Sequence, residues 1–264
     1  MVNLEILCTQ VQELAQEVGR FIFDERQKFT AEDIIHKGKT DMVTYVDKTS
    51  EARIVAKLRE LLPGSGFIAE EGTAKDNGEK YRWVIDPLDG TTNYIHGISP
   101  FAVSIALLEG QEIILGVIYE ISLDEMFYAW KGGKAYLNGK EIQVSKAATT
   151  TDALIATGFP YYDFSKLEAY LEAMNFFMRN SHGMRRLGSA AADMAYLAAG
   201  RFEGFYEHAL HSWDIAAGII ILKQAGGKVC DFNGGDNYLF GGEMIACNTN
   251  YFDEFYAIVH KHMG

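Results

Sequence analysis

The segment Trp83-Val84-Ile85-Asp86-Pro87-Leu88-Asp89-Gly90-Thr91-Thr92-Asn93 sets two carboxylates three residues apart at the end of a short apolar run. Such a run reads as a buried strand, and acids at its end are delivered to a sheet edge. Pro87 fixes one backbone angle and lacks an N–H, which can leave carbonyls facing outward. Gly90 permits a tight turn and close approach of a ligand to the backbone. Thr91 and Thr92 stand where a helix could begin, and free N–H groups at a helix start bind phosphate. Two carboxylates, an outward carbonyl and an anion-binding helix start describe a site for a hard cation and a phosphate. Magnesium suits it, since it takes oxygen ligands and keeps substrate phosphate in its shell. An isolated Asp-Pro-x-Asp-Gly is equally a surface turn. The apolar run in front and the threonines behind favour the metal site.

Three further acidic places belong to the same reading. Glu70-Glu71 ends the preceding apolar run, Asp47 follows the extended run Met42–Val46, and Asp214 follows Trp213 before an apolar helix. Taken singly, Asp47 and Asp214 read as N-caps and Glu70-Glu71 as a solvated pair. The roles are compatible, because an Asp at a helix start can turn an oxygen toward an ion. Carboxylates converging without a cation would repel one another and take up protons, so a cluster of them implies metal. An EF-hand loop is excluded by Pro87 and Leu88, which break its alternation of acids. A covalent aspartyl-phosphate route is disfavoured because Pro87 stands two residues before Asp89, where the nucleophile would be. The pair His208-x-x-His211 is better read as exposed or structural than as a transition-metal site beside so many oxygen ligands. Lys37-Gly38-Lys39 reads as solvated, whereas Arg185-Arg186 is open between solvent and substrate phosphate.

The 264 residues, 48% apolar and 23% charged with only 4 prolines, have the composition of a globular protein with a sizeable core. A formal net charge of -12 argues against nucleic acid as a partner, since phosphate backbones need a basic footprint. An acidic chain still binds a small anion if bound cations invert the local field. The first residues, Met1 to Lys28, carry Glu5, Glu13 and Glu17 where a signal peptide would be basic and then apolar. The most apolar later stretch, Ile215 to Leu222, is too short to span a bilayer. Cys8, Cys230 and Cys247 are scattered and read as reduced core thiols of a cytoplasmic protein without membrane attachment.

These residues need elements to hold them. Leu4, Leu7, Val11, Leu14, Val18 and Phe21 predict a long amphipathic first helix. A second starts after Asp47 or Thr49, turns Ile54, Val55, Leu58 and Leu61 inward and stops at Pro63-Gly64. Phe67–Glu70 and Trp83–Asp86 read as strands. From Phe101 to Val144 runs a meander: Phe101–Leu108, Ile113–Tyr119, Met126–Trp130 and a hairpin turned at Asn138-Gly139. Beyond Thr150, helices (Asp163–Arg179, Ser189–Ala199, Asp214–Ala225, Tyr251–His262) alternate with strands (Leu154–Thr157, Phe202–Glu207, Val229–Phe232, Met244–Cys247). A layered architecture of helices and sheets follows, one functional unit over 1–264 with halves at about 1–148 and 149–264 and no linker between them.

On these residues the chain resembles the inositol monophosphatase family along nearly its whole length. The first motif is Trp83 to Asn93. The second is Trp213-Asp214, then eleven residues, then Gly226-Gly227. Supporting segments are Ala69-Glu70-Glu71-Gly72, Asp41 to Asp47, Gly188-Ser189-Ala190-Ala191 and Gly200 to Glu207. The resemblance implies an α/β/α/β/α fold and a magnesium-dependent, lithium-sensitive phosphomonoesterase, a homodimer using two or three ions per site. It implies that Glu70, Asp86, the Leu88 carbonyl, Asp89 and Asp214 bind metal. Asp47 and Thr91 then orient the attacking water, with Glu70 close by, and Gly90 and Thr91 give N–H groups to the phosphate. Gly188, Ser189, Ala190 and Glu207 face the inositol ring, with Asp89 and Asp214 also on the substrate. Ser189 replaces the threonine of some relatives and keeps the hydroxyl. The implied substrate is a small phosphorylated polyol or sugar, foremost inositol 1-phosphate. Fructose 1,6-bisphosphate, NADP, a nucleotide 3′-phosphate and histidinol phosphate are alternatives for the same chemistry, and a metal-binding regulator without catalysis is the alternative from another class.

Overall fold

A computed structural model of the chain describes residues 2–28, 34–36, 42–74 and 80–264. The segment Lys37-Gly38-Lys39 and Asp41 lie outside the described residues. The chain opens with α1 (Leu4–Arg26), whose start is capped by Asn3 Oδ1 accepting the Ile6 N–H at 3.2 Å. Its period of three and four buries Leu7, Val11, Leu14, Val18 and Ile22 on one face. Two short paired strands, β1 (Ile34–His36) and β2 (Met42–Thr44), precede α2 (Tyr45–Leu61).

A seven-stranded sheet follows: β3 (Gly66–Ala69), β4 (Tyr81–Asp89), β5 (Ala102–Glu109), β6 (Glu112–Glu120), β7 (Glu125–Trp130), β8 (Ala135–Leu137) and β9 (Lys140–Glu141), ordered as in the chain. Only β3 and β4 run parallel. A short helix, α3 (Thr91–His96), leaves the end of β4. The turn at Asn138-Gly139 has both residues at positive φ, 47° and 79°, as a two-residue hairpin requires. The second sheet is built from β10 (Leu154–Thr157), β11 (Gly183–Arg185), β12 (Gly204–His208), β13 (Gly227–Cys230) and β14 (Glu243–Asn248), in the order β11-β10-β12-β14-β13. Its helices are α4 (Leu167–Asn180), α5 (Ala190–Ala198), α6 (Ser212–Gln224) and α7 (Phe252–Met263).

Helices α1 and α2 cover one face of the large sheet, and α5 and α6 lie between the two sheets. Helices α4 and α7 close the far side of the small sheet. The order is α/β/α/β/α, as expected. Alternation along β5 explains how one strand serves two layers. Val103, Ile105 and Leu107 pack toward α1 and α2, whereas Ala102, Ala106 and Leu108 pack toward α5 and α6.

The structure corrects several boundaries. Helix α2 begins at Tyr45, before Asp47: Thr44 is the N-cap and Asp47 the third helical residue. The Thr44 N–H donates to Asp47 Oδ2 at 2.8 Å and the Val46 N–H to Thr44 Oγ1 at 3.0 Å, a reciprocal capping arrangement. Asp214 is likewise displaced from the N-cap, which is His211. The fourth helix starts at Leu167, not Asp163, because Asp163 Oδ1 accepts the Ser165 N–H at 2.9 Å and holds a turn there. Strand β4 runs past Asp86 to Asp89 through a register shift containing Pro87, which has no N–H to give the ladder.

Candidate active site

The register shift in β4 is where the site begins. Asp86 ends the regular ladder opposite Ser104, and its Oδ1 accepts the Leu88 N–H at 2.9 Å, so the strand folds back on its own carboxylate. Gly90 then adopts φ +90° as N-cap of α3, a conformation that side chains other than glycine's rarely take. A Cβ there would also come within 3.0 Å of the Pro100 carbonyl. The turn sends Thr91 back over the strand end. Its Oγ1 lies 3.0 Å from Asp47 Oδ1 and 3.0 Å from the Leu88 carbonyl, so its single proton serves one or the other. Asp47 Oδ2 is occupied by Thr44, leaving Oδ1 for Thr91.

The far half of the chain supplies the opposite wall. The Ser189 hydroxyl donates to Asp89 Oδ2 at 2.6 Å and caps α5 by accepting the Ala192 N–H at 3.2 Å. The Ala191 N–H donates to the same Asp89 oxygen at 2.7 Å. Asp214 comes in on the first turn of α6, where its Oδ2 accepts the His211 N–H at 2.6 Å. Asn93, almost fully buried, donates Nδ2 to the carbonyls of Pro100 and Leu187 at 2.7 Å each, locking α3 to the segment before Gly188.

One carboxylate oxygen each from Asp86, Asp89 and Asp214 lies within 4.8 Å of the others, the group among the described residues arranged to hold a metal ion. Glu70 stands beside Asp86 and lines the same cavity. Burial, then repulsion from Glu70, Asp89 and Asp214, pushes the Asp86 carboxyl well above the ordinary range. Burial also raises Asp214, with Asp89 adding to it. Asp89 rises to about 6 through burial, held back by the Ser189 and Ala191 hydrogen bonds. Buried carboxylates crowded in this way, offering only oxygen, fit a hard divalent cation that would neutralise them.

The cavity beside them measures roughly 330 Å³. It brings together Glu70, Asp86, Leu88, Asp89, Gly90, Thr91, Gly188, Ser189, Ala190, Glu207 and Asp214. Asp47 touches it through Thr91. The Ser189 hydroxyl is committed to Asp89 and the helix cap, so what it presents to a ligand is indirect. Glu207 is pushed up to about 8 by burial, and its carboxyl lies directly over Gly158, where a Cβ would fall 1.8 Å from Oε1.

Tyr161, Tyr162 and Asp193, which lie outside the motifs, also line the cavity, as does Trp213 of the second motif. Arg186 resolves the open Arg185-Arg186 question. Strand β11 ends with Arg185 exposed, and Arg186 lines the cavity, hydrogen-bonded to the Tyr161 hydroxyl and 5.2 Å from the Phe159 ring centre. His211 lines the rim, stacked on Trp213 at 4.5 Å, and His208 sits 3.4 Å from Asp163. Arg186 lies just past the three-residue strand β11, which has no alternation to distinguish it from Arg185. Asp193 had no local signal either, being a lone acid inside an alanine-rich helix.

The family model for the inositol monophosphatase family matches residues 3–263. The chain is 39% identical to the inositol-1-monophosphatase of Mesorhizobium japonicum over 94% of this chain and 93% of that protein. It is 38% identical to the Nus factor SuhB of Pseudomonas aeruginosa, over 94% of each. The crystal structure of the extragenic suppressor protein suhB from Bartonella henselae superposes with a TM-score of 0.89 at 36% identity, covering 97% of this chain and 98% of that one. The match extends from end to end and includes both halves of the site, and the chain belongs to the inositol monophosphatase family.

Proposed function

We propose that the protein hydrolyses a phosphate monoester of a small polyol, foremost inositol 1-phosphate, with magnesium at the Asp86–Asp89–Asp214 cluster. The observation that carries this reading is that the cluster and Thr91, hydrogen-bonded to Asp47, line one cavity, a metal-holding group together with a polar pair suited to aligning a water. Magnesium, two or three ions when bound, supplies charge for the phosphate oxygens and lowers the pKa of water. Glu70, Asp86, Asp89, Asp214 and the Leu88 carbonyl are the donors proposed to hold it. Asp47 accepts from the Thr91 hydroxyl and thereby fixes that oxygen, which orients the water for in-line attack. The Gly90 and Thr91 N–H groups hold the phosphate. Glu207 accepts a hydroxyl of the alcohol, while Gly188, Ser189 and Ala190 shape the wall against the ring, with Asp89 and Asp214 bordering the substrate.

The chain is proposed to act as one unit, since α5 and α6 serve both sheets. Three free, buried cysteines support a reducing, cytoplasmic setting, and no helix among the described residues is long and apolar enough to cross a membrane. A homodimer is proposed from family membership, to be checked by light scattering. The relatives named Nus factor SuhB stand as near in sequence as those named inositol-1-monophosphatase. Family membership therefore assigns the phosphatase reading, and the second name remains theirs.

A panel of inositol 1-phosphate, fructose 1,6-bisphosphate, NADP, adenosine 3′,5′-bisphosphate and histidinol phosphate, with magnesium or with chelator, tests the proposal. Phosphate release from inositol 1-phosphate in magnesium alone is expected. Turnover in excess chelator, or preference for another ester, overturns the metal or the substrate part respectively.

A further inference from the structure

We propose that Glu51 is a positioning residue for Glu70, fixing the turn that presents this carboxylate to the cation, an inference that rests on reading Glu70 as a magnesium ligand. Glu51 lies one helical turn after Asp47 on α2 and is fully buried. Its Oε2 accepts the Glu71 N–H at 2.7 Å, and its Oε1 accepts the Thr73 N–H at 2.8 Å and the Thr73 hydroxyl at 2.7 Å. These bonds reach across twenty residues to the turn that follows β3. The other N–H groups of that turn are held by backbone carbonyls, Glu70 by Ile85 of β4 at 3.2 Å and Gly72 by Ala69 at 3.2 Å. Every N–H from Glu70 to Thr73 is therefore bound, two of the four by one carboxylate.

A buried carboxylate is costly unless its oxygens are filled, and charge-assisted bonds to N–H and O–H groups are about twice as strong as neutral ones. Residues four apart on a helix share a face. Helix α2 thus carries Asp47, which meets Thr91, and Glu51, which grips the Glu70 turn, as one rigid body. That arrangement fixes the water-orienting pair and the Glu70 ligand relative to each other. Groups that orient metal ligands typically cost about 10- to 100-fold in metal affinity when changed.

The substrate-free protein titrated calorimetrically with magnesium chloride provides the test. Glu51→Gln puts an NH2 group against either the Glu71 or the Thr73 donors, and its magnesium Kd should rise about 10- to 100-fold. Thr73→Val removes only the hydroxyl bond at an exposed position and should raise Kd a few-fold. In a Glu70→Gln background, Glu51→Gln should leave Kd within about twofold, because the two act as one unit. A folded Glu51→Gln protein with wild-type Kd overturns the inference. So does an undiminished loss in the Glu70→Gln background, which would mark Glu51 as merely structural. If Glu51→Gln does not fold, the Thr73→Val result decides, unchanged Kd counting against the inference. Wild-type protein that binds no magnesium removes the metal reading itself, and this inference with it.

Discussion

The Thr91 hydroxyl meets Asp47 Oδ1 at 3.0 Å across 44 residues of sequence, joining the first turn of α3 to the first turn of α2. Asp47 Oδ2 is saturated by Thr44, so Thr91 is the partner that gives the remaining oxygen a role at the cavity. Thr91→Ala should lower kcat by about 10²–10⁴-fold with little change in KM, because the N–H proposed to hold phosphate is untouched. Thr91→Ser should retain much of the rate. Asp47→Asn should resemble Thr91→Ala, and the double variant should fall well short of the product of the two losses. Steady-state kinetics at saturating magnesium decide this, and an unchanged kcat in Thr91→Ala would remove the pair from water alignment.

The metal-free protein should be more stable in mild acid than at pH 8. A carboxyl raised on folding favours the folded state fully below its unfolded value, and the advantage is lost as pH climbs through its folded value. Asp89 moves from 3.8 to about 6 and Glu207 from 4.5 to about 8, and Asp86 and Asp214 shift the same way. The loss therefore spreads from about pH 4 to pH 8. Magnesium competes with those protons, so its stabilisation should grow over the same range. Thermal melts with and without magnesium at several pH values test both trends, and a metal-free melting temperature that rises toward pH 8 would contradict them.

Ser189 is proposed to act through Asp89. Ser189→Ala removes the 2.6 Å bond to Asp89 and the cap of α5, whose loss typically costs about 0.5–2 kcal/mol. It should also raise the Asp89 carboxyl further, because that hydrogen bond holds it down. The acid limb of the pH–rate profile should then move to higher pH, while Ser189→Thr should leave the limb in place. A Ser189→Ala enzyme with an unmoved limb would confine the hydroxyl to capping.

How far the sequence carried this reading depended on whether the signal was local. The layers were legible because the apolar spacing of three and four in α1 gives way to short, nearly continuous apolar runs such as β5, although which face of β5 meets which helices shows only in the assembled sheet. The converging acids were legible because each borders an apolar run, Asp47, Glu70 and Asp86 at the end of one and Asp214 at the start of one. Helix starts were displaced by three residues at Asp47 and Asp214 because a helix-start acid occupies either the N-cap or the third helical position, and only the bond made decides. Thr44-x-x-Asp47 did carry the capping spacing. Long-range partners were beyond such reading. Nothing near Glu51 foretells Thr73, and nothing near Gly158 foretells Glu207, since those contacts exist only after the sheets are assembled.

Gly158 and Glu207 provide the separation of chemistry from alcohol recognition. Gly158 follows β10 and Glu207 lies in β12, its parallel neighbour, and the carboxyl of Glu207 occupies the space a side chain at 158 would need. A Cβ at 158 would fall 1.8 Å from Oε1 and 2.3 Å from Oε2. The obstructing atoms are the end of a rotatable side chain, so the easy response is for the carboxyl to swing away while the backbone stays. Gly158→Ala should therefore reproduce Glu207→Ala: a rise in KM or fall in kcat/KM for inositol 1-phosphate of about 10-fold, the scale of one buried hydrogen bond. Both variants should keep their rate on a small generic ester such as p-nitrophenyl phosphate, because Asp47, Thr91 and the acidic cluster are untouched. Their combination should be little worse than either alone, since the two substitutions remove the same contact. Equal loss on both substrates would place Glu207 with the metal-holding residues, and a Gly158→Ala enzyme indistinguishable from wild type would show that the carboxyl position is not what selects the alcohol.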